Sequence, residues 1–153
     1  MQALIHELKY KKKPQIGEIL GKIYGQKLHE IYSDIDVVIP VPLHQSKLKT
    51  RGYNQCDPIA RGIALVLEKS YNTNVVKRLR ANETQTRKGI YERWINVKEL
   101  FQVDQPQFVQ NKHVLLVDDV VTTGSTLEAC AGAILQVPGT RVSLATLACP
   151  TPF

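Results

Sequence analysis

The chain has 153 residues, with 43% hydrophobic and 22% charged side chains, which is the composition of an ordinary globular protein long enough to bury a sizeable core as one domain. No apolar run approaches the length of a membrane-spanning helix and no signal-peptide core opens the chain, so no membrane is expected and the expected location is cytoplasmic. The formal net charge of +6 suits a polyanionic partner, either a phosphate-rich small molecule or nucleic acid. Cys56, Cys130 and Cys149 are far apart and form no C-x-x-C pair, which supports neither a zinc ribbon nor a disulfide framework. They read as reduced thiols packed as small apolar residues.

In chain order, Leu4, Ile5 and Leu8 stand at helical spacing, and Lys11, Lys12 and Lys13 precede Pro14. The lysine run reads either as a solvated turn or as an anion contact. Residues 14–30 are expected to form an amphipathic helix whose apolar face is Ile16, Ile19, Leu20, Ile23, Tyr24 and Leu28. Gly17, Gly21 and Gly25 are spaced to let that helix pack closely on a sheet. Residues 36–41 are the first core strand, ended by Pro40 and Pro42. The following stretch reads as a basic loop in which His44, Lys47, Lys49 and Arg51 are potential phosphate contacts, with Gly52 and Asn54 as turn residues. On charge pattern alone the same loop is equally a solvated connector. Ile59, Ala60, Ile63, Ala64 and Leu67 mark the next helix, residues 72–74 a turn and residues 75–79 a second strand. Residues 81–98 carry little apolar periodicity and many polar groups, Arg87 among them. A short strand at 101–103 and a turn around Pro106 follow.

The most informative stretch is 114–126, V-L-L-V-D-D-V-V-T-T-G-S-T. Val114 to Val117 form the unbroken apolar run of a strand buried on both faces. Asp118 and Asp119 follow at once, then a turn of hydroxyls and Gly124, then Leu127, Cys130, Ala131, Ile134 and Leu135 at helical spacing. A loop feeding a helix N-terminus offers unpaired N–H groups and positive potential to a phosphate. Thr122, Thr123, Ser125 and Thr126 add hydroxyl donors, and Gly124 lets the backbone approach closely. Carboxylates would repel a phosphate, but they can accept hydrogen bonds from a vicinal diol or bind Mg2+ through its waters. A sugar with both a phosphate and free hydroxyls fits both halves. A turn at Pro138 and Gly139 and a last strand at 141–147 complete the chain.

The 114–126 stretch resembles the phosphoribosyl pyrophosphate (PRPP) motif of type I phosphoribosyltransferases. Pro40-Val41-Pro42-Leu43-His44, followed by Arg51-Gly52-Tyr53-Asn54-Gln55, resembles the signature of the ComF family, phosphoribosyltransferase-like proteins linked to bacterial competence. Ile5-His6 with Lys9-Tyr10 is similar to that family's opening helix, so the likeness runs from about residue 5 to residue 147. It implies an α/β fold of the type I phosphoribosyltransferase, Rossmann-like kind, with a mainly parallel sheet flanked by helices and a small N-terminal hood. It further implies that Thr122, Thr123, Gly124, Ser125 and Thr126, entered from Val120 and Val121, grip the 5-phosphate, and that Asp118 and Asp119 bind the ribose hydroxyls. Pro42, Leu43, Lys47 and Arg51 would lie at the pyrophosphate end, with Arg87 on a loop that closes over PRPP.

Mg2+ would arrive with PRPP and not sit in a protein cage. The expected activity is phosphoribosyl transfer to a nitrogen acceptor that the sequence leaves open. The alternatives are a non-catalytic PRPP sensor and a DNA-uptake accessory protein that binds single-stranded DNA. A homodimer is compatible with the resemblance. Longer relatives begin with a cysteine-rich zinc-binding segment that these 153 residues lack, so the expectation is a single phosphoribosyltransferase domain over 1–153.

Overall fold

Strand β1 (Val37–Pro40), the two-residue strand β2 (Ser70–Tyr71), β5 (His113–Val120) and β6 (Arg141–Ala148) form one parallel sheet in the order β2-β1-β5-β6. This is a computed structural model, and it describes residues 13–80 and 100–149. β5 sits between β1 and β6, and seven of its eight residues are buried, which explains its continuous apolar run. Helix α3 (Cys56–Leu67) carries the chain from β1 to β2, and α4 (Ser125–Ile134) carries it from β5 to β6. The two crossovers lead away from each other, so the strand order reverses between β1 and β5. In an open α/β sheet, ligands bind at the strand carboxyl ends at that point.

Side-chain alternation divides the core between the two faces. Val37, Ile39, Val114 and Leu116 meet Leu127, Ala129, Cys130 and Ile134 of α4. Val38, Leu115 and Val117 meet Ile59, Ala60, Ile63, Ala64 and Leu67 of α3. Continuing the period of two along β5 sends Asp118 toward the α4 side and Asp119 toward the α3 side. At the opposite end of the sheet, the His113 backbone N–H donates to Asp36 Oδ2 at 2.7 Å and its ring lies 2.8 Å from Ser143 Oγ. These contacts tie the starts of β5 and β6 to the approach of β1.

Several expectations need correction. The helix expected at 14–30 is α1 (Pro14–Ile31), but its buried residues are Gly17, Gly21, Gly25 and Leu28, while Ile19 and Ile23 are 57% and 53% exposed. The glycine face wins because it packs on helix α3 and not on the sheet, bringing the backbones together where Gly21 meets Ile59 and Gly62. Leu135, expected on the apolar face of the last helix, falls at its C-cap and is half exposed. The strand expected at 75–79 forms β3 (Val76–Arg78), which pairs antiparallel with β4 (Phe101–Val103) outside the main sheet. Ser70 and Tyr71 take the sheet position beside β1 instead.

The stretch expected as a basic loop contains helix α2 (Gln45–Arg51). His44 Nδ1 accepts from the Ser46 N–H at 3.2 Å at its start, and Gly52 closes it at φ 83°, where a side chain would be strained. The expected opening helix, most of the lysine run, and the whole of 81–98 with Arg87 lie outside the described residues. No described helix is long and apolar enough to cross a membrane.

Candidate active site at the carboxyl end of the sheet

β1 ends at Pro40, opposite Val117, so Asp118 and Asp119 extend past their neighbour into the switch-point crevice. Both are buried, and backbone amides hold them. Asp118 Oδ1 accepts from the Asp119 N–H at 2.9 Å, and Asp119 Oδ1 accepts from the Val120 N–H at 2.9 Å. The N-terminus of α3 supplies further partners. The Cys56 thiol donates to Asp118 Oδ1 at 3.3 Å, and Gln55 Nε2 donates to Asp119 Oδ2 at 3.4 Å. Gln55 in turn accepts from Arg51 Nη1 at 2.9 Å.

Asn54 anchors this segment to the end of β1. Its Nδ2 donates to the Val41 carbonyl at 3.0 Å and to Asp57 Oδ1 at 2.9 Å, and its Oδ1 accepts from the Cys56 N–H at 3.2 Å. A buried amide satisfied this fully fixes the backbone around it. α2 is therefore suspended between the strand end and Asn54, with its last residue, Arg51, turned toward Gln55. Lys47 lies one helical turn before Arg51 and shares its face, whereas Lys49 falls about 200° around from Lys47, on the far side. Of the four basic residues expected to contact phosphate, Arg51 is joined to Asp119 through Gln55, and Lys47 shares its helical face. Lys49 faces elsewhere, and one nitrogen of His44 is committed to capping. Pro42 and Leu43, which follow the end of β1, are half buried.

On the other side of the acidic pair, the β5–α4 loop encloses a cavity of about 140 Å³ lined by Asp118, Val120, Val121 and the 122–127 segment. Gly124 occupies the N-cap of α4 at φ 80° and offers no side-chain cap, so the helix dipole and first-turn N–H groups face the loop. Thr123 Oγ1 and Ser125 Oγ lie 3.0 Å apart, a spacing at which both hydroxyls can turn to a shared oxygen. Thr122, Thr123 and Ser125 are exposed and Thr126 is half buried. The structure thus places anion-receptive backbone and hydroxyls directly beside the buried Asp118 carboxylate.

Burial, with the charge of Asp119 added, pushes the Asp118 carboxyl up to about 6. Burial raises Asp57 to about 6 as well, against the lowering effect of its Asn54 hydrogen bond. In the unfolded chain both groups titrate near 4, at about 3.9. Between those values the native state keeps protons that the unfolded state has released, so stability falls as pH rises from about 4 to about 6. The expected loss is on the order of 2 kcal/mol, measured by guanidinium unfolding at a series of pH values, and it should shrink in Asp118→Asn.

The Cys56 thiol is pushed well above its ordinary range by burial and by the charges of Asp118 and Asp119. It stays protonated and donates. Its sulfur and the two carboxylates lie within 4.8 Å of one another, but a neutral thiol is a poor ligand for a hard cation. The carboxylate oxygens are the donors that fit Mg2+, and two carboxylates are too few for a cage, which suits an ion completed by ligand oxygens and water. Cys130 is likewise buried, its thiol pushed up by burial and by the Asp118 charge, whereas Cys149 is exposed. One thiol per chain is therefore expected to react rapidly with a disulfide reagent in the native protein, and three after denaturation. Two or more fast thiols would contradict the buried placement of Cys56 and Cys130.

Gln55, Cys56 and Arg78 belong to the site and were not singled out from sequence. Gln55 closes the Arg51-Gly52-Tyr53-Asn54-Gln55 stretch and carries no charge to mark it. Arg78 ends β3 with its guanidinium 5.4 Å from the Phe101 ring centre, where burial lowers its proton affinity and the Asp118 charge offsets that effect. The available signal was a basic residue at the end of a strand.

The comparisons with known proteins agree with this geometry. The family model described as "Phosphoribosyl transferase domain" matches residues 8–150. DNA utilization protein YhgH of Escherichia coli K12 is 33% identical over 141 residues, covering 89% of this chain and 61% of its own. Competence protein F of Haemophilus influenzae is 31% identical over 135 residues, covering 83% of this chain and 58% of its own. The chain thus spans about three-fifths of the length of these relatives. Among solved structures, adenine phosphoribosyltransferase superposes with a TM-score of 0.59 at 17% identity, over 91% of this chain and 72% of that one, a likeness of fold. The chain belongs to the phosphoribosyl transferase domain family and is a ComF-like member of it, related to competence protein F and YhgH.

Proposed function

We propose that the protein binds PRPP together with Mg2+ in the cytoplasm and transfers its phosphoribosyl group to a nitrogen nucleophile. The observation that carries this reading is the pairing of two buried carboxylates with a hydroxyl-rich helix N-terminus, N-capped by Gly124, at the strand switch point. The 5-phosphate would accept hydrogen bonds from the 122–126 loop, and Asp118 and Asp119 would accept from the ribose hydroxyls. Arg51 and Lys47 would face the pyrophosphate, with Arg87 as a further cation from the 81–98 segment. Mg2+, bound through PRPP oxygens, would offset the charge that develops on the leaving group.

In the reaction the bond from the anomeric carbon to the pyrophosphate oxygen breaks and its electron pair leaves with pyrophosphate. The nitrogen lone pair forms the new bond, and the nitrogen then releases a proton. These residues hold the two ends of PRPP still and stabilise charge where it grows. Acceptance from a diol requires ionised carboxylates, so PRPP affinity is expected to rise as pH passes upward through about 6.

The names of the relatives, DNA utilization protein and competence protein F, favour a second reading in which PRPP is sensed within DNA uptake and not consumed. Pyrophosphate release from PRPP and Mg2+, assayed across nucleobases, glutamine and ammonia, separates the two. Acceptor-dependent release supports transfer. Saturable PRPP binding with no release from any acceptor supports sensing, and salt-sensitive binding of single-stranded DNA without PRPP binding would favour a direct DNA role.

A further inference from the structure

We propose that Gln55 is a positioning residue that couples the ribose and pyrophosphate halves of the site by holding Asp119 and Arg51 in one hydrogen-bonded line. The proposal rests on the PRPP reading of the site. Gln55 is only 4% exposed and stands at the N-cap of α3, yet its side chain makes no capping bond to that helix. Its amide lies across the crevice instead, with Oε1 accepting from Arg51 Nη1 at 2.9 Å and Nε2 donating to Asp119 Oδ2 at 3.4 Å. The order oxygen toward Arg51 and nitrogen toward Asp119 is the one that both partners satisfy, because a guanidinium only donates and a carboxylate only accepts.

The neutral amide has a specific consequence. It offers an acceptor to the guanidinium and a donor to the carboxylate, so one side chain orients both. The same amide fixes the distance between the two groups, and hence between the two ends of one PRPP molecule. Asn54 and Cys56, bonded to β1 and Asp118 on either side of Gln55, make the bridge rigid.

The test is calorimetric titration of PRPP with Mg2+ into the wild type, Gln55→Met, Arg51→Met and the Gln55→Met/Arg51→Met pair, with melting temperatures recorded for each. Methionine keeps the length and bulk of the side chain and removes both hydrogen bonds. Gln55→Met is expected to bind PRPP about tenfold more weakly with its melting temperature little changed. Because part of the effect of Gln55 runs through Arg51, the double variant is expected to lose clearly less affinity than the two single losses combined, a non-additivity that a merely structural role would not produce.

Binding by Gln55→Met within about twofold of the wild type, or strictly additive losses in the double variant, would overturn the proposal. If Gln55→Met does not fold, Gln55→Glu decides. It keeps the Arg51 contact but sets a carboxylate against Asp119, and a loss of tenfold or more is expected, with near-wild-type binding again overturning the proposal. Failure of the wild type itself to bind PRPP would overturn the reading of the site, and this proposal with it. No result confined to the Gln55 variants can imitate that.

Discussion

The Asp118→Asn variant is expected to bind PRPP with Mg2+ about 100-fold more weakly than the wild type while melting at a higher temperature at neutral pH. The two effects have one cause. Asp118 is buried beside a second carboxylate, which pushes its carboxyl up to about 6, so at pH 7 the folded protein holds a charge its surroundings disfavour. Asparagine retains the Oδ1 that accepts from the Asp119 N–H and the Cys56 thiol, and it removes the charge. A gain of about 1–2 kcal/mol in apo stability follows from the relieved burial penalty. The loss of binding follows because an amide offers a diol one acceptor where the carboxylate offers two. Adding Asp119→Asn should abolish binding altogether, since it also sets a donor against Gln55 Nε2. A variant that lost both stability and binding would point to a carboxylate placed for folding and not for ligand.

Replacing Gly62 with alanine is expected to cost about 2–3 kcal/mol of folding stability, whereas the same change at Gly132 is expected to add about 0.5–1 kcal/mol. Both glycines lie inside helices, α3 and α4, where alanine is intrinsically the better residue. At Gly62 a β-carbon would run into the Glu18 carbonyl oxygen and approach the Lys22 backbone nitrogen within 2.9 Å, so α1 would have to move off α3. At Gly132 nothing lies within 4 Å. Denaturant midpoints for the two variants against the wild type give the comparison. Stabilisation by both changes would mean that α1 does not sit on α3 as closely as described.

That helix pair also shows where sequence reasoning stops. α1 is legible in its limits, but of its expected apolar face Leu28 is buried and Tyr24 packs on the core, while Ile19 and Ile23 lie exposed. Apolar spacing identifies surface that burial would favour, and here backbone-to-backbone contact through Gly21, Gly25 and Gly62 decides the orientation instead. β1 and β5 are legible because their runs are apolar, and β6 because Val142, Leu144 and Leu147 recur after the turn at Pro138 and Gly139. β2 was not, because Ser70 and Tyr71 join the sheet through backbone pairing beside β1 and carry no apolar run. α2 was hidden by its composition, since a helix with no buried residue has no hydrophobic period to detect. In the candidate site, the charged and hydroxyl-bearing residues are visible as types, and the structure joins Arg51 to Asp119 through Gln55 and sets Asp118 in the cavity of the 122–126 loop. Gln55 and Cys56 were invisible as participants because their part depends on which atoms they meet 60 or more positions away.

The most direct test of the central claim is titration of PRPP into the wild-type protein with and without Mg2+, followed by calorimetry at pH 7.5. The account predicts saturable binding of one PRPP per chain that strengthens with Mg2+. Ribose 5-phosphate and pyrophosphate should each compete more weakly, since each fills one half of the site. Absence of binding at millimolar PRPP by a protein that melts cooperatively would contradict it, leaving the acidic pair and the phosphate loop as parts of a scaffold without this ligand.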